Sequence, residues 1–535
     1  MLGASQQKEA METSKEETGK EKFGKWRSFF WPIYKFELKK FLPVFGMFFL
    51  IVFNYNLLRT FKDSMVVTAP NSGAEAIPFI KVWAILPSAI LLTFIFTRLA
   101  NRFSREKVFY IMMFIFIIFF FLFTFVLYPL RDYLHPHEFA DRLQAILPAG
   151  CKGLIAIFRN WTFTLFYVMC ELWSTAIMTV LFWGFMNEVT GVGEAKRFYG
   201  LLMIGGNASS IFSGQISVWF SNISFNPSVP YGTTKWEQSV LFLNCTIIVC
   251  GILAVAIFRW LNTHVLGPEE KARKIQKPPE EKVKMSMRKN VAYLAKSKYL
   301  ICIAMIVLTY NVAINLVEVV WKNQINSLYP DPSDFQSYMG RVTTVIGIVA
   351  TFAAIFITGN VIRRFSWTTS AMIPAAITLI TGMGFFTFTL FQHSGLEALA
   401  AIAGFTPMAF GLLLGSLQNI FTRASKYTFF DATKEIAFIP LSNESKLKGK
   451  AAIDGVGSRL GKSGGSVIHQ GLLLIFTTVS ASTPFVAGIF LIVLFIWILS
   501  VFSLGKQFDK LVEAESQLEI SESPPPKPVL VKETA

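Results

Sequence analysis

Cysteine and histidine are scarce in this sequence, which has five of each among 535 residues. The thiols lie in or beside apolar segments and read as small apolar side chains, because no Cys-x-x-Cys or Cys/His spacing typical of a metal site occurs. An enzyme embedded in a membrane would need clustered Asp, Glu or His side chains at one face, and no such cluster is visible. The sequence therefore predicts no metal and no cofactor, and it argues against such an enzyme.

Acidic residues are also few: the sequence has 34 Asp and Glu residues against 50 Lys and Arg residues, which gives a net charge of +16. Binding to nucleic acid is excluded, because no soluble segment is long enough to fold as a basic domain. The excess instead fits the rule that cytoplasmic loops of membrane proteins collect Lys and Arg. Attraction of an anionic ligand is the other interpretation of part of this excess.

Long apolar stretches dominate the chain, which is 53% hydrophobic and has 54 Phe residues. Runs of about 20 residues match the length that a helix needs to cross hydrocarbon. The ten-residue alternating segments of a β-barrel are absent. We predict an all-α integral membrane protein with twelve transmembrane helices. The spans are placed at 41–60, 80–99, 108–130, 153–187, 197–220, 238–262, 299–321, 340–361, 368–392, 397–422, 450–479 and 483–504.

Loop charges alternate along these spans and predict the topology. The loops near Arg102, Arg363 and Lys448 are basic, whereas the loop 323–337 is poor in Lys and Arg. Both termini are therefore predicted to be cytoplasmic, which requires an even number of spans. The first 40 residues interleave Lys and Glu, unlike a secretory signal or a plastid transit peptide. A bacterial inner membrane suits this arm better than an organelle envelope.

Short internal matches predict two related halves. The matching pairs, each about 255–262 residues apart, are Tyr55-Asn56 with Tyr310-Asn311, Asn101–Ser104 with Arg363–Ser366, and Lys196 and Gly200 with Lys450 and Gly455. Two parallel six-helix halves around a midplane site are typical of secondary transporters, and the expected architecture is major-facilitator-like. The predicted regions are an N-terminal arm (1–40), an N-terminal half (41–262), a basic linker (263–298), a C-terminal half (299–505) and a disordered tail (506–535).

Four ionisable residues inside or at the end of apolar segments are the first functional candidates: Lys62, Arg159, Glu171 and Glu318. Such groups are costly at membrane depth and normally face a partner, a cavity or a substrate. Lys62 and Glu318 lie at nearly equivalent depths of the two halves, either as a structural ion pair or as a substrate-binding cation and part of the coupling machinery. Glu171 is either a protonated, hydrogen-bonded carboxyl, a partner of a cation in the site, or a proton carrier.

Three further features extend the candidate site. Arg59 lies three residues before Lys62, on the same side of the helix. Asn207, in a stretch of small residues, is an amide that suits either helix packing or the edge of a nucleobase. The basic run 446–450 is either a topological loop or an entrance for phosphates. The stretch 457–463 resembles a phosphate-binding loop but lacks its first Gly, so ATP hydrolysis has no support.

At these residues the chain resembles the nucleotide transporters, or ATP/ADP translocases, of obligate intracellular bacteria and plastids, over about residues 30–510. The segments that carry the resemblance are Phe53–Asn56 with Arg59, Lys62 and Asp63; Glu171–Trp173; Trp183–Asn187 with Glu194–Lys196; Asn315–Val319 with Trp321 and Lys322; Lys426-Tyr427; and Lys446–Asp454.

This resemblance implies twelve helices and exchange of cytosolic ADP for host ATP, or net nucleotide import. We expect a monomer in membrane lipid that works by alternating access. The resemblance also implies functional charges at Lys62, Glu171, Glu318 and Lys446, and a link between Asn207 and base selection. The predicted substrate-binding residues are Arg59, Lys62, Arg159, Glu171, Asn207, Glu318 and Lys446. Departures from the family pattern beside Lys62 and Asn207 leave an alternative open, namely proton-coupled net import of nucleoside triphosphates including GTP, CTP and UTP. A channel is another alternative, but a channel would not need two paired halves, so the internal repeat favours a transporter.

Overall fold

Backbone polar groups cannot remain unpaired in hydrocarbon, so long apolar stretches are expected to cross it as helices. The computed structural model describes residues 31–266, 297–392, 394–441 and 458–522, with the isolated residues Gly24, Arg27, Gly449 and Ile453. Its long helices are α1 (Lys35–Val67), α2 (Ala76–Arg102), α3 (Arg105–Leu127), α4 (Trp161–Val189), α5 (Val192–Asn222), α6 (Lys235–Val265), α7 (Lys298–Leu328), α8 (Pro332–Arg364), α9 (Trp367–Phe391), α10 (Pro407–Ser425), α11 (Ser458–Phe476) and α12 (Val479–Glu522).

Among the described residues, nine of these helices are long and apolar enough to cross a membrane. The other three are α5, α10 and α11, which carry more polar and small residues. Helices that face a cavity or a neighbouring helix are expected to be more polar than helices that face lipid. An all-helical membrane fold is thus confirmed, whereas the count of twelve spans stays a prediction.

Side-chain caps explain why several helices begin where they do. The side chains of Ser297, Asp331, Ser366 and Thr406 each accept a hydrogen bond from a backbone N–H in the first turn of the following helix. These bonds satisfy donors that have no partner within the helix. Thr234 and Glu237 form a reciprocal capping box at the start of α6. Polar loop residues thus fix the ends of helices whose interiors are almost entirely apolar.

Three predicted boundaries are corrected by the structure. The fourth span does not run on from residue 153, because Asn160 leaves the helical conformation and separates the short helix Lys152–Arg159 from α4. The tenth span does not begin at 397, because the left-handed Gly404 and Pro407 separate the short helix Glu397–Ile402 from α10. Residues 506–522 were predicted to be a disordered tail, but they continue α12 as far as Glu522. The stretch holds good helix formers and no Pro before 524.

Helix packing repeats after six helices. Helix α1 packs against α4, α5 and α6, and α7 packs in the same way against α10, α11 and α12. We call α1–α6 the N half and α7–α12 the C half. The arrangement agrees with the internal matches in the sequence. The limits of the arm and the linker stay predictions, since most of residues 1–40 and 263–298 lies outside the described part of the chain.

The two halves touch most closely at one end of the bundle, which we call the sealed end. There the second part of α5 packs on the first part of α8, and a Cβ built on Gly214 would lie 2.6 Å from the carbonyl oxygen of Gly340. Only residues without a side chain allow helices to approach so closely. On the opposite side of the bundle axis, the Gln470 amide of α11 donates to the Pro78 carbonyl of α2 over 2.9 Å.

Candidate functional site

In the N half, Lys62 lies near the end of α1 and is held by two carboxylates. Its Nζ lies 3.0 Å from Glu171 Oε1 on α4 and 3.1 Å from Asp63 Oδ1 on its own helix. The same ammonium group lies 3.7 Å above the ring of Tyr167, a cation–π contact. Only 3% of Lys62 is exposed, so the ion is almost fully desolvated. A buried ammonium group is tolerated here because each of its neighbours supplies negative charge or a π face.

In the C half, Glu318 on α7 forms ion pairs with three cations. Its Oε1 lies 2.8 Å from Lys322 Nζ, one turn further along α7, and 3.0 Å from Arg423 Nη2 on α10. Its Oε2 lies 3.6 Å from the Nζ of Lys81. Lys81 belongs to a π-helical stretch of α2, Ile80–Ile85, and π-helical turns are frequent at functional sites. Because α2 is part of the N half, the pair between Lys81 and Glu318 crosses between the halves.

Asp63 joins these two groups into one network. Its Oδ2 lies 2.7 Å from Lys322 Nζ, and the side chains of both residues are 1% exposed. We call the connected set of ionic side chains the charge network. Its members are Lys62, Asp63, Lys81, Glu171, Glu318, Lys322 and Arg423. The network therefore has four cations and three carboxylates and spans both halves.

Two more cations lie beside the network without a carboxylate partner among the described residues. Arg59, one turn before Lys62, donates to the hydroxyl groups of Tyr427 and Thr343, each over 3.4 Å. Lys462 on α11 is exposed, and its backbone oxygen accepts a hydrogen bond from the Asn315 amide. The Asn315 side chain also accepts from Lys81 Nζ over 2.8 Å. The region thus carries a surplus of positive charge.

Exposure divides the network into an open edge and a closed one. The side chain of Glu171 is 26% exposed, whereas Asp63 and Lys322 are shielded almost completely. The shielded edge adjoins the sealed end, where Gln336 of α8 hydrogen-bonds Ser64 of α1 over 2.5 Å. The edge of the network at Glu171 is therefore more accessible to solvent than the edge at Asp63 and Lys322. A site of this shape, with surplus cations at its open edge, fits a small polyanion.

Comparison with known proteins identifies the family. The model of the TLC ATP/ADP transporter family matches residues 16–508. The chain belongs to this family. It is 47% identical over 490 residues to ADP,ATP carrier protein 1 of Chlamydia pneumoniae, covering 90% of this chain and 94% of that protein. It is 41% identical over 482 residues to ADP,ATP carrier protein 1, chloroplastic, of Arabidopsis thaliana, covering 90% of this chain and 76% of that protein.

A solved structure supports the fold independently. The chain resembles a bacterial homologue of the iron transporter ferroportin, crystallised in an inward-facing state, with a TM-score of 0.53 and 11% sequence identity. The match covers 90% of this chain and 99% of that one. At this identity the likeness concerns the fold alone. The described helices of this chain therefore follow the same overall fold as that protein.

Four of the seven predicted site residues of this family member lie in or beside the charge network. Lys62, Glu171 and Glu318 belong to the charge network, and Arg59 lies beside it. Asn207 lies on α5, 8% exposed, and its amide Nδ2 has no hydrogen-bond partner among the described residues. Lys446 lies outside the described residues.

Arg159 differs from the expectation. It is 1% exposed, and its guanidinium group lies 2.6 Å from Asp141 and 3.2 Å from Gln144, both on the short helix His137–Ile146 that precedes it. These partners lie in the connection between α3 and α4, and neither belongs to the charge network. The boundary error explains the difference, because the break at Asn160 places Arg159 in that connection instead of inside a span.

Sequence reasoning missed four members of the network: Asp63, Lys81, Lys322 and Arg423. Lys81 is the second residue of the predicted span 80–99, and Lys322 and Arg423 lie just past the ends of the predicted spans 299–321 and 397–422. Charge is ordinary at such positions. The helices themselves extend further, and α7 has 31 residues, which corresponds to about 46 Å. A search for charges within one helical turn of Lys62 and Glu318 would have found Asp63 and Lys322.

Proposed function

We propose that this protein exchanges ADP from inside the cell for external ATP by alternating access of the two halves. A nucleoside triphosphate brings about three to four negative charges. The charge network with its surplus cations is the observation that supports binding of such a group. The names of the relatives support exchange over proton-coupled net import. ATP is cargo in this proposal and is not hydrolysed.

The phosphates are proposed to bind Lys62 of the N half and cations of the C half together. Lys322 and Arg423 already share Glu318, so incoming phosphate oxygens compete with that carboxylate for both. Charge-assisted bonds of this kind are roughly twice as strong as neutral hydrogen bonds. Glu171 and Glu318 then serve to hold the cations when no nucleotide is bound. Arg59 and Lys446 are proposed as additional phosphate ligands.

Selection of the base is proposed to involve Asn207. Its amide Nδ2 is buried without a hydrogen-bond partner among the described residues, as is the amide of Asn244 on α6, whereas buried polar atoms are normally hydrogen-bonded. An amide donates and accepts at once, as the edge of adenine requires. Replacing Asn207 with Leu is expected to reduce the preference for ATP over GTP in competition assays, whereas Asn244→Leu, at a buried amide of α6, is expected to leave that preference unchanged.

The membrane and orientation are proposed from the sequence. The Lys-rich loops support cytoplasmic termini, and the arm before α1 supports a bacterial inner membrane. The sealed end carries the start of α2 and the end of α5, so with cytoplasmic termini it lies on the external side. The structure then corresponds to a carrier open toward the cytoplasm. Accessibility of the exposed Tyr133, replaced with Cys, to a membrane-impermeant thiol reagent from outside the cell tests this orientation.

Transport by the purified protein tests the exchange proposal. Proteoliposomes are loaded with ADP, with AMP, or with buffer alone, and entry of labelled ATP is measured with and without a pH gradient. Exchange predicts rapid entry only into vesicles loaded with ADP, independent of the pH gradient. Entry into empty vesicles that a pH gradient stimulates would contradict exchange and support proton-coupled import. Labelled GTP, CTP and UTP, measured in the same way, define the range of substrates.

A further inference from the structure

Glu318 contacts cations of both halves, and so does Asp63, at the shielded edge of the charge network. Oδ1 lies 3.1 Å from Lys62 on α1, and Oδ2 lies 2.7 Å from Lys322 on α7. Glu171, by comparison, pairs with Lys62 within the N half. The pair formed by Asp63 and Lys322 is also better shielded from solvent than Glu171 or Glu318.

This pair lies next to the contacts that close the sealed end. The residue after Asp63, Ser64, donates to the Gln336 side chain of α8, and the amide of Gln336 donates to Thr60 over 3.1 Å and to Ser217 over 2.7 Å. Opening the sealed end requires α1 and α5 to separate from α7 and α8. The Asp63–Lys322 contact must break in the same movement.

Breaking a shielded ion pair is strongly unfavourable unless each ion finds another partner. A polyphosphate in the site provides such a partner for Lys322, because its oxygens replace the Asp63 carboxylate there, while Asp63 keeps its contact with Lys62. In the empty carrier nothing replaces Asp63, so Lys322 would keep only Glu318, which it shares with Arg423 and Lys81. The same contact therefore resists opening of the empty carrier and yields when nucleotide binds.

We propose that the Asp63–Lys322 ion pair is a latch that couples reorientation of the carrier to the presence of a nucleotide. Asp63 is thus a positioning residue that enforces one-for-one exchange, and not itself a ligand of the substrate. This inference rests on the proposed transport of nucleotides. It adds that strict exchange resides in one ion pair between the halves at the sealed end.

Two substitutions remove the latch in different ways. Asp63→Asn keeps all four cations of the network and leaves Lys62 and Lys322 to repel each other across the halves. Lys322→Gln removes one cation, so that three cations face three carboxylates in the network that remains. Because both variants break the same contact, the double variant is expected to behave like the stronger single variant instead of adding their effects.

The structure offers a matched control at the same end of the bundle. Lys235 on α6 and Asp334 on α8 form another Asp–Lys pair across the halves, with 3.9 Å between Nζ and Oδ1. Their side chains are 36% and 55% exposed, so solvent screens the pair. Exposed ion pairs contribute little. Asp334→Asn and Lys235→Gln therefore make the same chemical changes without removing a buried contact.

Proteoliposome measurements of efflux and exchange test the latch. Vesicles loaded with labelled ADP are diluted into buffer with ATP, which measures exchange, or into buffer without nucleotide, which measures uncoupled efflux. The ratio of efflux to exchange is expected to rise at least about tenfold in Asp63→Asn and Lys322→Gln, as for loss of a buried ion pair, and to change less than about twofold in the controls. An unchanged ratio in both latch variants would overturn the latch. Absence of exchange in the wild-type protein would instead refute the proposed function.

A second measurement covers the case in which neither latch variant folds. In the otherwise unchanged chain, Lys235 and Asp334 are both replaced with Cys and treated with a short bifunctional thiol reagent. The latch predicts rapid cross-linking without nucleotide and slower cross-linking in saturating ATP, because the sealed end opens only when nucleotide is bound. Equal rates with and without ATP, in protein that exchanges nucleotides, would overturn the proposal.

Discussion

Lys62 and Arg159 make an instructive pair, because the same argument selected both from the sequence and the structure gives them different surroundings. Each is a buried cation whose segment is mostly apolar, and each has a carboxylate within 3.1 Å. The partners of Lys62 lead through Asp63 to α7 of the other half. The partners of Arg159 lie on the short helix immediately before its own.

The comparison separates two reasons for burying charge. Burial indicates only that an ion has a partner, since an unpaired ion would be too costly. Whether the partner is distant or local in the chain decides what the ion pair can do. A pair between halves changes when the halves move, and it is able to respond to a ligand between them. A pair within one connection moves as a unit and stabilises the local fold.

Replacement of Lys62 gives the largest expected effect and the sharpest test of the difference. Lys62→Ala removes a cation that faces both carboxylates and the proposed phosphates, and loss of a buried charged partner of this kind reduces exchange at least about 30-fold. The measurement is ATP entry into vesicles loaded with ADP, normalised to correctly inserted protein. Normal exchange by Lys62→Ala would show that Lys62 is not needed for nucleotide binding and that it does not differ from Arg159 in this respect.

Lys462 tests how far the site extends toward its open edge. Because the side chain is exposed and has no carboxylate partner among the described residues, Lys462→Gln is expected to weaken ATP binding by about 1 kcal/mol, or about fivefold. The effect on ADP should be smaller, because ADP has one phosphate fewer. Titration of both nucleotides at two salt concentrations measures the difference, and Lys235→Gln at the sealed end provides the control. Equal loss for ATP, ADP and adenosine would indicate a general disturbance of the fold.

Arg159 is expected to affect stability far more than transport. Arg159→Ala leaves the exposed Asp141 hydrated but removes hydrogen bonds from the connection, which costs about 1–2 kcal/mol of stability. Thermal unfolding in detergent checks this loss. Exchange per folded molecule should stay within about twofold of wild type. Loss of transport comparable with that of Lys62→Ala would mean that both cations act on the substrate.

The smallest predicted effect concerns pH and the same connection. His135 hydrogen-bonds Thr162, and its burial together with the nearby His137 lowers its pKa from 6.5 to about 4. In the unfolded chain His135 binds a proton near pH 6.5, whereas in the folded protein it stays neutral until about pH 4. The free energy of unfolding therefore falls as the pH drops from about 6.5 toward 4. His135→Gln should flatten the pH dependence of the melting temperature. An unchanged slope would show that other groups dominate this dependence.

The sequence was sufficient for the membrane fold and for much of the network. Lys62, Glu171 and Glu318 stood out because they interrupt apolar runs, and the structure brings them together with charges from both halves. The family was identifiable from short motifs around the same residues. The sequence marks these three residues because burial of charge in lipid-length segments leaves a strong local signal. Their role in substrate binding stays a prediction.

The remaining members of the site had no such signal. Lys81, Lys322 and Arg423 lie at the ends of apolar runs, where a charge is unremarkable until the longer helices are seen. Pairing between Asp63 and Lys322 depends on how α1 and α7 face each other, which no local pattern contains. Arg159 was misplaced for the opposite reason, because the break at Asn160 is a local backbone event within a continuous apolar pattern.

The central claim is that cations from both halves bind the polyphosphate of a nucleotide, and a binding series measures it most directly. Purified protein is titrated with ATP, ADP, AMP and adenosine at fixed salt. The account predicts that ATP and ADP bind at least about tenfold more tightly than AMP, that adenosine binds weakest, and that Lys62→Ala reduces these differences. Equal affinity for adenosine and ATP would contradict the claim, because the base alone would then carry the binding.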